Sequence, residues 1–248
     1  LQAIGAAYLG QPQEVERELK LPIDECKEPL RAEIQLAAHY IRVKRTAEAI
    51  AVCEAACKRH ADVAQPWLIL TDIQMAAANY DAARRGLQQG LDTVTDPRQK
   101  RVLSTKLALL EILHGDAAAG IGLLREMAAQ DPQETQARLL LLGVRSIRED
   151  PAQAEKLIGE LKLAEGENGL WWRLHQASLW LAAEDWRAKQ QEILGLLRFC
   201  AEANPSWSAP ALLLADLHER LGDVQRVEDV CRQALLALFQ TDAVEARA

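Results

Sequence analysis

The chain has 248 residues, 49% hydrophobic and 26% charged, with a formal net charge of −7 and a pI near 5.4. Phosphate-binding surfaces need clustered Lys and Arg, so this acidic balance argues against general nucleic-acid binding. Apolar runs such as Leu139–Val144 fall far short of the roughly 20 residues that span a bilayer, so no membrane insertion is expected. The length suits one or two globular domains. Ala, Leu, Glu, Gln and Arg dominate over Val, Ile and Thr, and aromatics make up only 4%, so helix is favoured throughout. The five cysteines (Cys26, Cys53, Cys57, Cys200 and Cys231) show no framework spacing and sit in apolar helical stretches. That pattern suits buried thiols in a reducing compartment such as the cytoplasm.

Taken in chain order, the sequence divides into helix–turn–helix units at roughly 1–28, 29–62, 63–99, 100–133, 134–168, 169–206 and 207–240. The first helices carry Ala3, Ala37, Thr71, Ala108, Leu142, Ala177 and Ala215 at one register position. The second helices carry Val15/Leu19, Ala49/Cys53/Ala56, Ala83/Leu87/Gly90, Gly120/Leu124/Met127, Ala154/Ile158/Leu161, Lys189/Ile193/Leu196 and Val227/Cys231/Ala234. Both landmarks advance by the same 34, 34, 37, 34, 35 and 38 residues, so the chain repeats. Turns recur between them at Leu9-Gly10, Ala78-Asn79, His114-Gly115-Asp116, Glu149-Asp150, Glu184-Asp185 and Leu221-Gly222-Asp223. Gly or Asn supplies the left-handed residue that ends a helix, and Asp caps the next. Pro12 and Pro151 suit the first turn of a helix, where the missing N–H costs nothing. Asp96-Pro97, Asp131-Pro132 and Asn204-Pro205 are stop-and-restart signals between units.

A period near 34 residues, built from helical hairpins, resembles the tetratricopeptide repeat. Trp67 and Leu70 match the family's Trp and Leu, and Tyr40 matches its Tyr. Ala83 and Ala49 match the second-helix Ala, while Gly90 and Ala56 match the later small residue. The segment LLLADLHERLGDVQRVEDVCRQAL is similar to the family over its whole length. Lys189 and Leu142 depart from the pattern by standing where small residues belong. The resemblance implies an all-α, right-handed superhelix of about seven hairpins, read as a single repeat domain over 1–248. Neither end carries a clear polar capping helix, so the native chain is expected to continue beyond one or both ends.

No catalytic constellation emerges, and neither a metal nor a cofactor is expected. The histidines His39, His60, His114, His175 and His218 are scattered, and each is expected to face solvent or cap a helix. His218-Glu219 lacks the second His of a zinc-protease helix. Cys53, Cys57 and His60 share a helix face at metal-ligand spacing, but Cys53 takes the position of Leu87, Leu124 and Ile158, so it belongs to the core. Gly120-Ile121-Gly122 lacks the third Gly and the preceding strand of a dinucleotide fingerprint. Arg138, Arg145 and Arg148, spaced by 7 and 3, could meet an acidic peptide; the blander expectation is a solvated helix face paired with Glu134 and Glu149.

The remaining handle is the concave side, which the family builds from its first helices. On the register above it collects Ile34, Ile41, Leu68, Asp72, Met75, Thr105, Leu109, Ile112, Leu139, Trp171, Leu174 and Ser178. This set is more apolar than a solvated face requires. Chaperone-binding members clamp a terminal carboxylate with Lys, Asn and Arg, whereas the matching positions here hold residues such as Ile34, Ala38 and Ile69. The expected function is therefore a non-catalytic scaffold or adaptor that holds a protein segment in an apolar groove. An alternative is the substrate-recognition arm of a larger enzyme, similar to repeats fused to glycosyltransferase or sulfotransferase domains.

Overall fold

A computed structural model describes the backbone of residues 28–245 and the side chains of residues 28–237. Among the described residues there are thirteen α-helices and no strand. They are α1 (Pro29–Arg42), α2 (Thr46–Arg59), α3 (Ala64–Ala76), α4 (Tyr80–Thr93), α5 (Pro97–His114), α6 (Ala117–Gln130) and α7 (Gln136–Gly143). The chain continues through α8 (Arg145–Arg148), α9 (Pro151–Glu165), α10 (Trp171–Ala182), a 3-10 turn (Trp186–Lys189), α11 (Gln190–Ala203), α12 (Ser208–Arg220) and α13 (Val224–Glu245). The first expected hairpin, with Ala3, Leu9-Gly10, Pro12, Val15, Leu19 and Cys26, lies outside the described residues.

The fold is all-α, and its helices pair into antiparallel hairpins that pack on their sequence neighbours. It falls into two compact units, Leu1–Leu124 and Arg125–Ala248. In the first, one continuous core joins Leu36, Tyr40, Cys53, Trp67, Leu87 and Leu103. The small landmark residues permit close approach: Ala37, Ala49, Thr71, Ala83 and Ala108 are each no more than 1% exposed. Trp67 packs so closely on Gly90 that an added Cβ there would lie 2.9 Å from the indole. Its Nε1–H donates to the Ala61 carbonyl at 3.2 Å, tying the preceding loop to the helix. Trp172 uses the same device in the second unit, donating to the Gly166 carbonyl at 3.2 Å.

The second unit has one core around Leu142, Ile158, Leu161 and Trp172, and another around Leu181, Ile193, Leu197 and Leu217. Here the repeat deviates twice. The first helix that carries Leu142 is interrupted at Val144, which is extended (φ −74°, ψ 129°), giving α7 and α8. The following hairpin inserts the 3-10 turn Trp186–Lys189 before its second helix. Lys189 is consequently an exposed turn residue, not a landmark, and the buried set is Ile193, Leu197 and Cys200, each 0% exposed. These three are the fourth, eighth and eleventh residues of α11, as Ala154, Ile158 and Leu161 are of α9. The register expected as Lys189/Ile193/Leu196 is thus wrong by one helical turn. The four residues of the 3-10 turn account for the offset, because they join two otherwise regular helices without changing their faces.

Turn chemistry follows the expected logic only in part: Gly222 is left-handed (φ 76°), but Gly115 is not (φ −141°) and Asp185 makes no side-chain cap. Asp116 accepts the N–H groups of Ala118 and Ala119, and Asp150 those of Ala152 and Gln153. Asp96 caps α5 through Gln99 N–H, and Pro97 and Pro151 start their helices. At the Ala78-Asn79 turn, however, the left-handed residue is Ala78 (φ 57°), not Asn79. A non-glycine residue there costs about 1–2 kcal/mol, which the packing of α3 on α4 must offset.

Candidate functional site

In the first unit, α3 contacts both α1 and α5, so the first helices lie side by side. The face they share holds most of the expected groove residues. Ile41 is 42% exposed and Asp72 is exposed, while Ile34, Leu68, Met75, Thr105, Leu109 and Ile112 are half-buried. Leu68 and Met75 lean on the core with part of their surface and leave the rest open. Asp72 Oδ1 pairs with Lys106 Nζ at 2.5 Å and links α3 to α5 across this face. Lys106 was not visible as a site residue in the sequence; only its position one turn before Leu109 and Leu110 hints at it.

In the second unit α10 contacts α12, and Trp171 is the prominent residue, 42% exposed and edge-on to Trp207 with ring centroids 4.6 Å apart. Trp207 precedes α12 and was missed, because the hairpin pattern assigns no role to a residue before a helix. Leu139 packs against the core around Trp172, and Ser178 is half-buried. Leu174 is 7% exposed and belongs to the core with Ala177 and Leu181, so little of it remains for a partner. It lies three residues before Ala177 and seven before Leu181, which places it on the buried stripe of α10.

The expected arginine face does not form. Arg138 is only 5% exposed. Its guanidinium donates to the carbonyls of Ala128 at 2.8 Å, Asp131 at 3.3 Å and Glu134, and reaches Glu160 Oε2 at 3.3 Å. It occupies the register position of Trp67 and pins the end of α6. Arg145 pairs with Glu149 at 2.7 Å on the exposed surface. The break at Val144 separates Arg138 from Arg145 and Arg148, so no single helix carries all three.

Two histidines also depart from the solvent-facing expectation. His39 is 3% and His218 4% exposed, because both lie on the inward stripe near the end of a first helix. Burial, with Arg226 nearby, pulls His218 below its ordinary pKa. His175 is lowered by burial and then by Arg148. His114 stacks on Tyr80, ring centroids 3.9 Å apart, and His60 Nε2 lies 3.2 Å from the buried Glu33 carboxylate. Arg59 pairs with the same carboxylate at 2.5 Å. A similar pair links Arg84 to Glu111 at 2.5 Å; it holds the Glu111 carboxyl below the usual range, with help from the Asp116 N–H.

Cys53, Cys57 and Cys200 are buried thiols, and desolvation pushes them up to about 11, 12 and 11. They are therefore protonated and poor nucleophiles at neutral pH. Cys231 is exposed. Among the described residues, no group of three or more His, Cys, Asp or Glu side chains could hold a metal ion. No described helix is long and apolar enough to cross a membrane.

Within each unit, helical hairpins stack with first helix beside first helix, which is the tetratricopeptide-like class of fold. Known protein-family models and curated protein sequences yield no match to the chain. Solved structures do. A tetratricopeptide repeat protein from Parabacteroides merdae is 11% identical, with 99% of this chain and 94% of that one covered at a TM-score of 0.58. Pseudomonas aeruginosa pilF is 15% identical, covering 86% and 96% of the two chains at a TM-score of 0.56. Yeast Tom70 is 14% identical, with 96% of this chain aligned to 50% of that one at a TM-score of 0.63. At such identities the likeness is one of fold.

Proposed function

We propose that this protein is a non-catalytic interaction scaffold that holds a segment of a partner protein against the face of its first helices. The observation that carries this reading is the apolar surface left open on the first helices within each unit, taken separately. Ile41 and Trp171 are each 42% exposed, and Leu68, Met75, Leu109 and Ile112 are only half-covered. A solvated helix face does not need large apolar side chains at these positions, and such patches commonly mark binding surfaces. The apolar character also sets the binding mode. Ile34, Ala38 and Ile69 stand where a carboxylate clamp would need cations, so the partner docks through apolar side chains, as an extended segment or an amphipathic helix. The tetratricopeptide-like neighbours support this reading at the level of fold.

Affinity capture with the wild-type chain beside a Trp171→Ala/Leu109→Glu double variant tests it. Preys lost from the variant, while its circular dichroism stays native, identify both partner and face. If every prey is retained equally, the first-helix face is not the binding surface.

A further inference from the structure

A second series of sites lies between the second helices of each unit. Three clefts recur at one register, each between successive second helices and floored by the first helix between them. One lies between α2 and α4 over α3, with a volume of about 330 Å³. Another lies between α11 and α13 over α12, at about 340 Å³. The third, between α6 and α9 over α7, reaches about 620 Å³, and all its lining residues belong to the second unit. Equivalent leucines, Leu70, Leu141 and Leu214, form the three floors. Trp67 helps close the first cleft, whereas Arg138 holds that position in the largest.

The rims differ in charge. The ninth residue of the upstream second helix and the sixth of the downstream one face each other across every cleft. They are Glu54 and Arg85 in the first, where Lys58 adds a further cation, and Arg198 and Asp229 in the last, so each of these facing pairs joins opposite charges. In the largest cleft they are Arg125 and Lys156, both cationic. Arg125 donates to the neutral Gln153 amide at 2.6 Å. Neither Arg125 nor Lys156 has an ion pair among the described residues, and the one carboxylate in the cleft, Glu160, is taken by Arg138 at 3.3 Å. The site therefore joins an apolar floor (Ala128, Pro132, Leu141 and Leu157) to two unneutralised cations.

We infer that this cleft docks an acidic peptide segment of a partner, with a large apolar side chain on the floor and a flanking carboxylate on Arg125 and Lys156. The volume lies in the range of cavities that take a bulky side chain with its neighbours. Carboxylate is the anion an arginine fork and an ammonium match in a protein partner. Duplex DNA would bring about one charge per 1.7 Å, and each single strand about one per 3.4 Å, against a chain of net charge −7, whereas a short acidic segment meets mainly the local pair. This surface is separate from the first-helix face, and the two can be tested apart.

The test uses the full chain and end-capped, fluorescein-labelled peptides in which glutamates flank a central Leu, Phe or Trp, beside a panel with lysine for glutamate. Anisotropy at low salt should show at least one acidic peptide binding while its lysine counterpart does not. Arg125→Glu and Lys156→Glu, both at exposed residues, should each weaken binding by about tenfold, equivalent to about 1.4 kcal/mol. Arg85→Glu in the sister cleft and Leu109→Glu on the first-helix face should leave it unchanged. The proposal fails if no acidic peptide exceeds its lysine counterpart, or if binding is lost in Leu109→Glu but kept in Lys156→Glu. It also fails if a single-stranded oligonucleotide binds more tightly than the peptides and is released by the same two reversals.

Discussion

The glycines of α6 form a matched pair. Gly120 and Gly122 stand two residues apart in one helix, so replacing either with Ala recovers the same helix propensity, about 0.5–1 kcal/mol. Their surroundings differ. A Cβ on Gly120 would lie 2.5 Å from the Ala108 carbonyl oxygen and 2.8 Å from Ile112 Cγ1, whereas one on Gly122 meets nothing within 4 Å. The Ala108 contact is with backbone at a residue of 0% exposure, so no rotamer change relieves it. Overpacking of this kind costs about 1–3 kcal/mol. Gly120→Ala should therefore destabilise by up to about 2.5 kcal/mol net, and Gly122→Ala should stabilise by about 0.5–1 kcal/mol. Because the propensity gain cancels, the difference of about 1–3 kcal/mol isolates the strain of the α5–α6 approach. Urea unfolding followed by far-UV circular dichroism measures both midpoints. Equal shifts in the same direction would refute the close approach and the register built on it.

Two further outcomes are expected. If the 3-10 insertion sets the register of α11, Leu197→Ala should cost about 2–5 kcal/mol and Leu196→Ala clearly less, since Leu197 is 0% exposed and Leu196 half-buried. Equal losses, or a large loss for Lys189→Ala, would restore the simpler repeat. The Arg84–Glu111 pair adds a pH dependence. A carboxyl whose folded pKa is depressed contributes stability that is fully present above its unfolded value and lost as pH falls through its folded value. Arg84→Met should thus be less stable than wild type at neutral pH, and the gap should close as the medium is acidified through and below the ordinary carboxylate range. A gap that stays constant over that interval would show that the pair is not coupled to folding.

Much of the architecture is legible in the chain itself. Helix propensity, caps such as Asp116 and Asp150, and small residues at a period near 34 are local signals, and the burial of Ala83, Leu87, Ala108 and Leu124 follows from them. Which first-helix residues fall at the same register position was legible for the same reason, since that is set by spacing alone. Other features depend on what a side chain meets outside its own helix, which spacing does not encode. Arg138 read as solvated until α6 supplied its carbonyls. Leu174 read as open until α10 turned it inward, and Trp207 had no role until Trp171 lay against it. The one-turn offset at Lys189 was invisible because a four-residue insertion preserves helical periodicity almost perfectly, at 3.6 residues per turn. The paired cations Arg125 and Lys156 stand apart from Glu54/Arg85 and Arg198/Asp229 only once tertiary packing brings successive second helices together. The sequence by itself determined a stack of helical hairpins and their buried faces; tertiary structure decided which charges face each other across it.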